Sequence, residues 1–219
     1  MNAASPTLTA QEIADHLRHE LRAGRLVPGQ RLVEADITRQ TGGSRSRVRE
    51  ALRRLEAEGI VTIEEFRGAS VRRLGPDEIR QIYETRMVLE GLAASECARR
   101  ASPEIKARLQ ALQDELDRGE ANTDHAQFSR LNDTWHKLII EGSGNTYVAQ
   151  FLSRLTVPIH RMLFSTFYTM HRIALANADH RVVTAAILDG RPEEAERAMR
   201  QHISQGLAAL TELDARISG

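Results

Sequence analysis

Between Arg39 and Arg54 the chain places six arginines, at 39, 45, 47, 49, 53 and 54, against a single acid, Glu50. Val48, Ala51, Leu52 and Leu55 recur through the same stretch at helical spacing, which predicts an amphipathic helix with Arg45, Arg49 and Arg53 on its outer side. Such a helix cannot stand alone. Its apolar stripe needs covering neighbours, and its row of guanidiniums either faces water or meets a polyanion.

The flanking residues supply the neighbours. Gln11 to Ala23 carries Ile13, Leu17 and Leu21 at steps of four, a second amphipathic helix capped by Thr9 and ended at Gly24. Pro28-Gly29 breaks the chain, Val33 to Gln40 reads as a short helix, and Thr41-Gly42-Gly43 as a tight turn. Ser44 or Ser46 then caps the arginine-rich helix, which runs to about Glu58 and stops at Gly59. Ile60 to Ile63 and Ala69 to Leu74 read as two short strands around a turn at Glu65-Phe66-Arg67-Gly68. Three helices and a hairpin predict a winged helix-turn-helix domain over residues 1–75. An α-helix fits the major groove of B-DNA, where arginine pairs bidentately with guanine. Ser44-Arg45-Ser46-Arg47 offers amides, hydroxyls and two guanidiniums at a helix N-terminus, an end suited to phosphates and base edges. An arginine-rich face is ordinarily just solvated; the turn, the serines and the hairpin together favour double-stranded DNA.

Overall charge conceals this segment. The 30 Lys plus Arg and 30 Asp plus Glu cancel, which excludes a uniformly basic coat. Residues 1–74 nevertheless hold 13 arginines against 10 acids, a balance of +3, and residues 75–219 hold 17 basic against 20 acidic residues, a balance of −3. One Trp, three Tyr and five Phe are too few for a platform that stacks single-stranded bases. Cys97 has no partner for an internal disulfide, Met1 to Leu8 does not read as a secretory leader, and no apolar run reaches membrane-spanning length. The expectation is a cytoplasmic protein without a membrane partner.

Gly75-Pro76 marks a boundary, and everything beyond it reads as helix: about 77–100, 103–118, 123–141, 145–168, 171–189 and 192–216, with a break at Arg118-Gly119. The fold class is therefore mainly α, a winged helix-turn-helix domain followed over 76–219 by an all-α six-helix bundle. Three histidines occupy positions that should be apolar. His202 lies within the stripe of Ala195, Met199, Gly206 and Leu210, and His180 is in line with Ile173, Thr184 and Ile187. His136 follows Asn132 by one turn, beside Phe128, Trp135 and Ile139. One inward imidazole is usually a hydrogen-bonded core residue. Three from three helices favour a shared divalent metal, zinc, nickel or manganese. His16, His19, His125, His160 and His171 read as surface or capping residues.

The runs Gly24-Arg25-Leu26-Val27-Pro28-Gly29-Gln30-Arg31-Leu32, Ser44 to Gly59 and Arg67-Gly68-Ala69-Ser70-Val71 resemble the DNA-binding domain of the GntR family of bacterial transcription regulators. The resemblance implies that Arg45 and Arg49 contact operator bases and that Gly68, beside Arg67 in the wing, approaches the minor groove. Arg47 stands where many relatives have proline, which adds a possible phosphate contact, and Gly43 where they usually have valine, which is expected to loosen the turn. Glu84 to Ala94 and Trp135 to Asn145 resemble the FadR-type C-terminal ligand-binding domain. Many members of that group hold a divalent metal through an Asp and three His; the matching positions are Asn132, His136, His180 and His202, with Asn132 replacing the usual Asp. The resemblance further implies a homodimer on a palindromic operator, and an inward Arg86.

Three neutral imidazoles and an amide leave the metal's charge uncompensated, so a small carboxylate is the expected effector. Arg86 would anchor its other end or pair with Glu90 one turn on; the sequence supports both equally. The competing readings are a metal-stabilised dimeric regulator without an effector and a metal-dependent hydrolase. Against the hydrolase, the chain has no His-Glu-x-x-His run, nucleophile elbow or Gly-rich phosphate loop. The expectation is a ligand-responsive repressor and not an enzyme.

Overall fold

The computed structural model describes residues 8–122, 125–155 and 170–217. These fall into two compact units, one up to Arg73 and one from Leu74 onward.

In the first unit, α1 (Ala10–Arg22) begins in a capping box: Thr9 Oγ1 accepts from the Glu12 amide at 3.2 Å, and the Glu12 carboxylate accepts from the Thr9 amide at 2.7 Å. Its Ile13, Leu17 and Leu21 stripe is buried. A strand of two residues, β1 (Arg31–Leu32), precedes α2 (Glu34–Thr41), which closes on Gly42 in the left-handed region at φ 66°. Ser44 caps α3 (Arg45–Ala57), accepting from the Arg47 amide at 3.4 Å. Val48, Ala51, Leu52 and Leu55 pack inward against α1.

The wing is β2 (Val61–Glu64) and β3 (Gly68–Val71), paired antiparallel with Val61 opposite Val71 and Glu64 opposite Gly68. β1 joins the other edge of β3, Leu32 opposite Ala69, so the sheet has three strands in the order β1-β3-β2. The third strand is the part not expected. Gly43 is buried, and a Cβ there would stand 2.6 Å from Ile13 Cδ1. A side chain at this turn would require the tip of Ile13 to shift.

The second unit contains α4 (Pro76–Arg100), α5 (Pro103–Asn122), α6 (His125–Gly142), α7 (Thr146–Leu155), α8 (Met170–Leu188) and α9 (Pro192–Ile217). The expected break at Arg118-Gly119 is absent. Gly119 sits buried inside α5, and a Cβ there would make only ordinary contact with Leu131 Cδ1 at 3.8 Å, so neither helix termination nor lack of space accounts for the glycine. The later part of the helix expected over 145–168, and His160, lie outside the described residues.

α9 packs along α4 and α8, α5 packs on α6 and α8, and α6 crosses α4. Phe128, Trp135, Ile139, Leu109, Leu116, Ile173 and Ile187 fill the centre. A chain of buried hydrogen bonds fixes the register of three of these helices: Trp135 Nε1 donates to Thr184 Oγ1 (2.9 Å), which donates to Gln113 Oε1 (3.1 Å), whose Nε2 donates to Asn177 Oδ1 (3.0 Å). The indole is thereby pinned, and it forms one wall of the cluster described next. No helix among the described residues is long and apolar enough to cross a membrane.

Candidate functional site

Two sites emerge, one in each unit. In the first, Ser44, Arg45, Ser46 and Arg47 are all exposed at the start of α3. Ser44 and Ser46 hydroxyl oxygens lie 3.0 Å apart, and Arg47 Nη1 donates to the Leu8 carbonyl at 3.3 Å. Arg49, one turn on, directs Nε at both oxygens of Glu34 on α2, at 2.9 and 3.0 Å. Arg45 and Arg53 make no ion pair with a described residue, so the outer side of α3 keeps free positive charge at both ends of the Arg49 contact. An exposed pair such as Arg49–Glu34 contributes at most ~1 kcal/mol and is readily exchanged for a stronger anion. In the wing, Arg67 is exposed and pairs with Glu64 at 3.2 Å, and Gly68 turns the chain at φ 81°.

The second site is the histidine cluster. His136 on α6, His180 on α8 and His202 on α9 are all buried, and one ring nitrogen from each lies within 4.8 Å of the others. His136 Nε2 and His202 Nε2 are 3.4 Å apart. Two nitrogens bound to one tetrahedral zinc at ~2.0–2.1 Å stand about 3.3–3.4 Å apart, so this pair has the spacing of ligands to a common ion. Trp135 lies against His180 at 4.3 Å between ring centroids, and Phe128 stacks beyond at 6.0 Å.

Two carboxylates that sequence reasoning missed orient the imidazoles from behind. Glu90 Oε2 lies 2.6 Å from His136 Nδ1, and Asp179 Oδ2 lies 3.5 Å from His202 Nδ1, neither with hydrogen-bond alignment. With a carboxylate at each Nδ1, the Nε2 atoms are left to face the shared centre, the arrangement that metal-binding histidines use. Among the described residues His180 has no such partner, and neither of its ring nitrogens is hydrogen-bonded. A buried imidazole with both nitrogens unpaired is costly unless something outside the chain satisfies one of them.

The electrostatics agree with a ligand role. Burial, with His202 and His136 nearby, holds the His180 imidazole well below its usual pKa. His136 is likewise lowered, by burial against the opposing pull of Glu90. Both rings are therefore neutral and keep a lone pair to donate. Burial pushes the Glu90 carboxyl up, but the Arg86 guanidinium and His136 outweigh it and hold the group well below the usual carboxylate range. Arg86 Nε donates to Glu90 Oε1 at 2.7 Å, and its guanidinium lies over the Tyr83 ring. The ion-pair role for Arg86 is thus realised, and Glu90 links it to His136. Asn132 is half-buried one turn before His136 and makes no hydrogen bond with a described residue. The three histidines, the cluster as a whole, can hold a metal ion. Of the remaining histidines, His19 and His171 are exposed and His16 is half-buried.

Three helices closed by a hairpin, with arginines on the outer side of the third, followed by a separate all-helical unit, define a winged helix-turn-helix transcription regulator. Residues 9–71 match the bacterial regulatory proteins of the gntR family, and residues 81–205 match the FCD domain. The chain belongs to the GntR family, in the branch that carries an FCD domain, and the family is one of transcription regulators and not of enzymes.

Relatives agree along nearly the whole length. The chain is 27% identical over 225 residues, 95% of this chain and 93% of the relative, to a probable D-xylose utilization operon transcriptional repressor of Paenarthrobacter nicotinovorans. It is 26% identical over 200 residues, 91% of this chain and 89% of the relative, to the HTH-type transcriptional regulator YdhC of Bacillus subtilis (strain 168). Its fold superposes on that of Escherichia coli McbR/YncC with a TM-score of 0.75 at 22% identity, covering 93% of this chain and 97% of that one.

Proposed function

We propose that the chain is a homodimeric repressor whose residues 1–75 bind a palindromic operator and whose residues 76–219 sense a small carboxylate through a divalent metal. His180 carries the reading: a fully buried imidazole with neither nitrogen hydrogen-bonded, facing two further imidazoles, is explained by an absent third partner. His136, His180 and His202 hold the ion, with Asn132 as a neutral fourth ligand. A bound divalent ion supplies open positions of positive charge that a carboxylate fills. Glu90 and Asp179 keep the His136 and His202 rings turned toward it, and Arg86, already beside Glu90, takes the far end of the acid when it exchanges partners.

On the DNA side, Arg45 and Arg49 read bases, while Ser44, Ser46, Arg47, Arg67 and Gly68 meet the backbone and the adjacent groove. A two-fold dimer matches a palindrome because each half-site then sees the same helix. The cytoplasm is the compartment in which such a reader meets DNA.

The test is a thermal-shift screen of small carboxylates against the full chain, with and without chelator. Metal-dependent stabilisation by at least one acid, together with weakened operator binding in its presence, supports the sensor. Stabilisation by metal with no response to any acid would leave a metal-stabilised dimer without an effector.

A further inference from the structure

The tip of the wing carries two features that the fold does not use. Phe66 is the one described residue other than glycine with a positive φ, 62°, and its ring is 96% exposed. A bulky side chain in the left-handed region is strained, where glycine or asparagine would sit at ease. A phenylalanine in water gains nothing from its apolar area. Neither cost is offset within the unit, because a ring so exposed packs against no neighbour. Strain of this sort persists at sites of function.

The neighbourhood indicates what the ring is for. Arg67, beside it, is exposed, and Ile63 on β2 leaves an apolar edge partly open just below the turn. β2 is tied to the arginine-rich helix, whose Glu56 carboxylate accepts from the Ile63 amide at 3.2 Å. With α3 in a major groove, a hairpin at its flank meets the next groove along the duplex, and the minor groove is ~6 Å wide. Proteins that enter it often pair a cationic residue with an apolar wedge that parts a base step.

Resting on the DNA-reading role of the first unit, we propose that Phe66 is such a wedge: its ring enters the minor groove beside the half-site read by α3, partly unstacks one base step, and bends the duplex. Flexible pyrimidine–purine steps are then favoured at that position without a hydrogen bond to any base.

The full-length protein is used to enrich a duplex from a randomised library, and that duplex serves as the probe. Phe66→Gly relieves the strain, so the melting temperature of the variant rises. Its affinity for the selected duplex falls about tenfold or more, with an unchanged salt dependence because no phosphate contact is lost. End-to-end fluorescence transfer across the duplex reports a smaller bend, and Phe66→Trp retains both affinity and bend. Equal affinity and equal bend for wild type and Phe66→Gly overturn the proposal, as does dissociation of a DNA-free dimer by Phe66→Gly, which gives the ring to a second copy. Arg49→Ala separates the layers. If it abolishes selective binding while Phe66→Gly does not, the wedge fails alone; if wild type enriches no duplex, the DNA-reading role fails with it.

Discussion

Replacing Glu90 with glutamine keeps the shape of the side chain and removes its charge at a point where two buried groups depend on it. The side chain is 4% exposed, accepts from Arg86 Nε at 2.7 Å and lies 2.6 Å from His136 Nδ1. Arg86 is itself only 18% exposed, so its guanidinium loses its counter-ion without gaining water. Breaking a buried pair from one side costs about 3–5 kcal/mol, and the glutamine carbonyl, still able to accept from Arg86, brings the expectation to ~2–3 kcal/mol. At roughly 2–4 °C per kcal/mol for a domain of this size, the melting temperature falls by about 4–12 °C. Metal affinity falls about 10- to 100-fold because His136 loses the carboxylate that orients it. Differential scanning fluorimetry and a competitive zinc titration read the two effects separately. A second variant, Arg86→Met with Glu90→Gln, removes the stranded cation; it should regain much of the stability while metal affinity stays low. If Glu90→Gln leaves both quantities unchanged, neither the buried pair nor the orientation of His136 has the role assigned to it.

His136 and His180 titrate lower in the folded protein than in the unfolded chain, so below about pH 6.5 the unfolded chain binds more protons and stability is lost as pH falls, at about 1.4 kcal/mol per pH unit for each ring. Glu90, also lowered, adds a further loss below its usual carboxylate range. A chelator-treated sample whose melting temperature is flat from pH 7.5 to 5 contradicts the two neutral imidazoles. Arg49→Ala costs about 1–3 kcal/mol on the preferred operator and relaxes selection at one base pair, as binding selections on randomised duplexes would show; an even loss on all sequences, with a shallower salt slope, marks a phosphate contact instead. Gly43→Val forces a side chain onto Ile13, which is fully buried, and lowers stability by about 1–3 kcal/mol; a raised melting temperature would show that Ile13 has room to move.

The arginine-rich helix is legible because its signals are local: a stripe at 48, 51, 52 and 55, serines at the cap and a glycine at the stop all lie within one stretch of chain. The three histidines were legible for a related reason, since each interrupts an apolar periodicity. Glu90 is not marked by any such local signal. Its i+4 relation to Arg86 is visible, but its contact with His136 depends on α4 crossing α6, which no spacing encodes. Asp179 is hidden in the same way by its adjacency to His180, one residue and about 100° around α8. A glycine alone does not say whether it loosens, breaks or fits closely: Gly119 lies inside an unbroken α5, and at Gly43 a Cβ would stand 2.6 Å from Ile13, a contact set by the packing of α1. β1 contains two residues, too few to show alternation, and exists only because β3 has a free edge. Phe66 lies within the turn at residues 65–68, and only its φ and exposure mark it out.

Zinc addition to chelator-stripped wild type and His180→Ala shows whether His136, His180 and His202 hold one metal ion together. Ligand at 100 times its dissociation constant stabilises the folded state by ~2.7 kcal/mol, so the wild-type melting temperature should rise by about 5–11 °C. The His180→Ala protein, folded and retaining two of the imidazoles, should show little of that rise. An equal rise in both proteins, or none in wild type, would show that the three histidines do not share an ion.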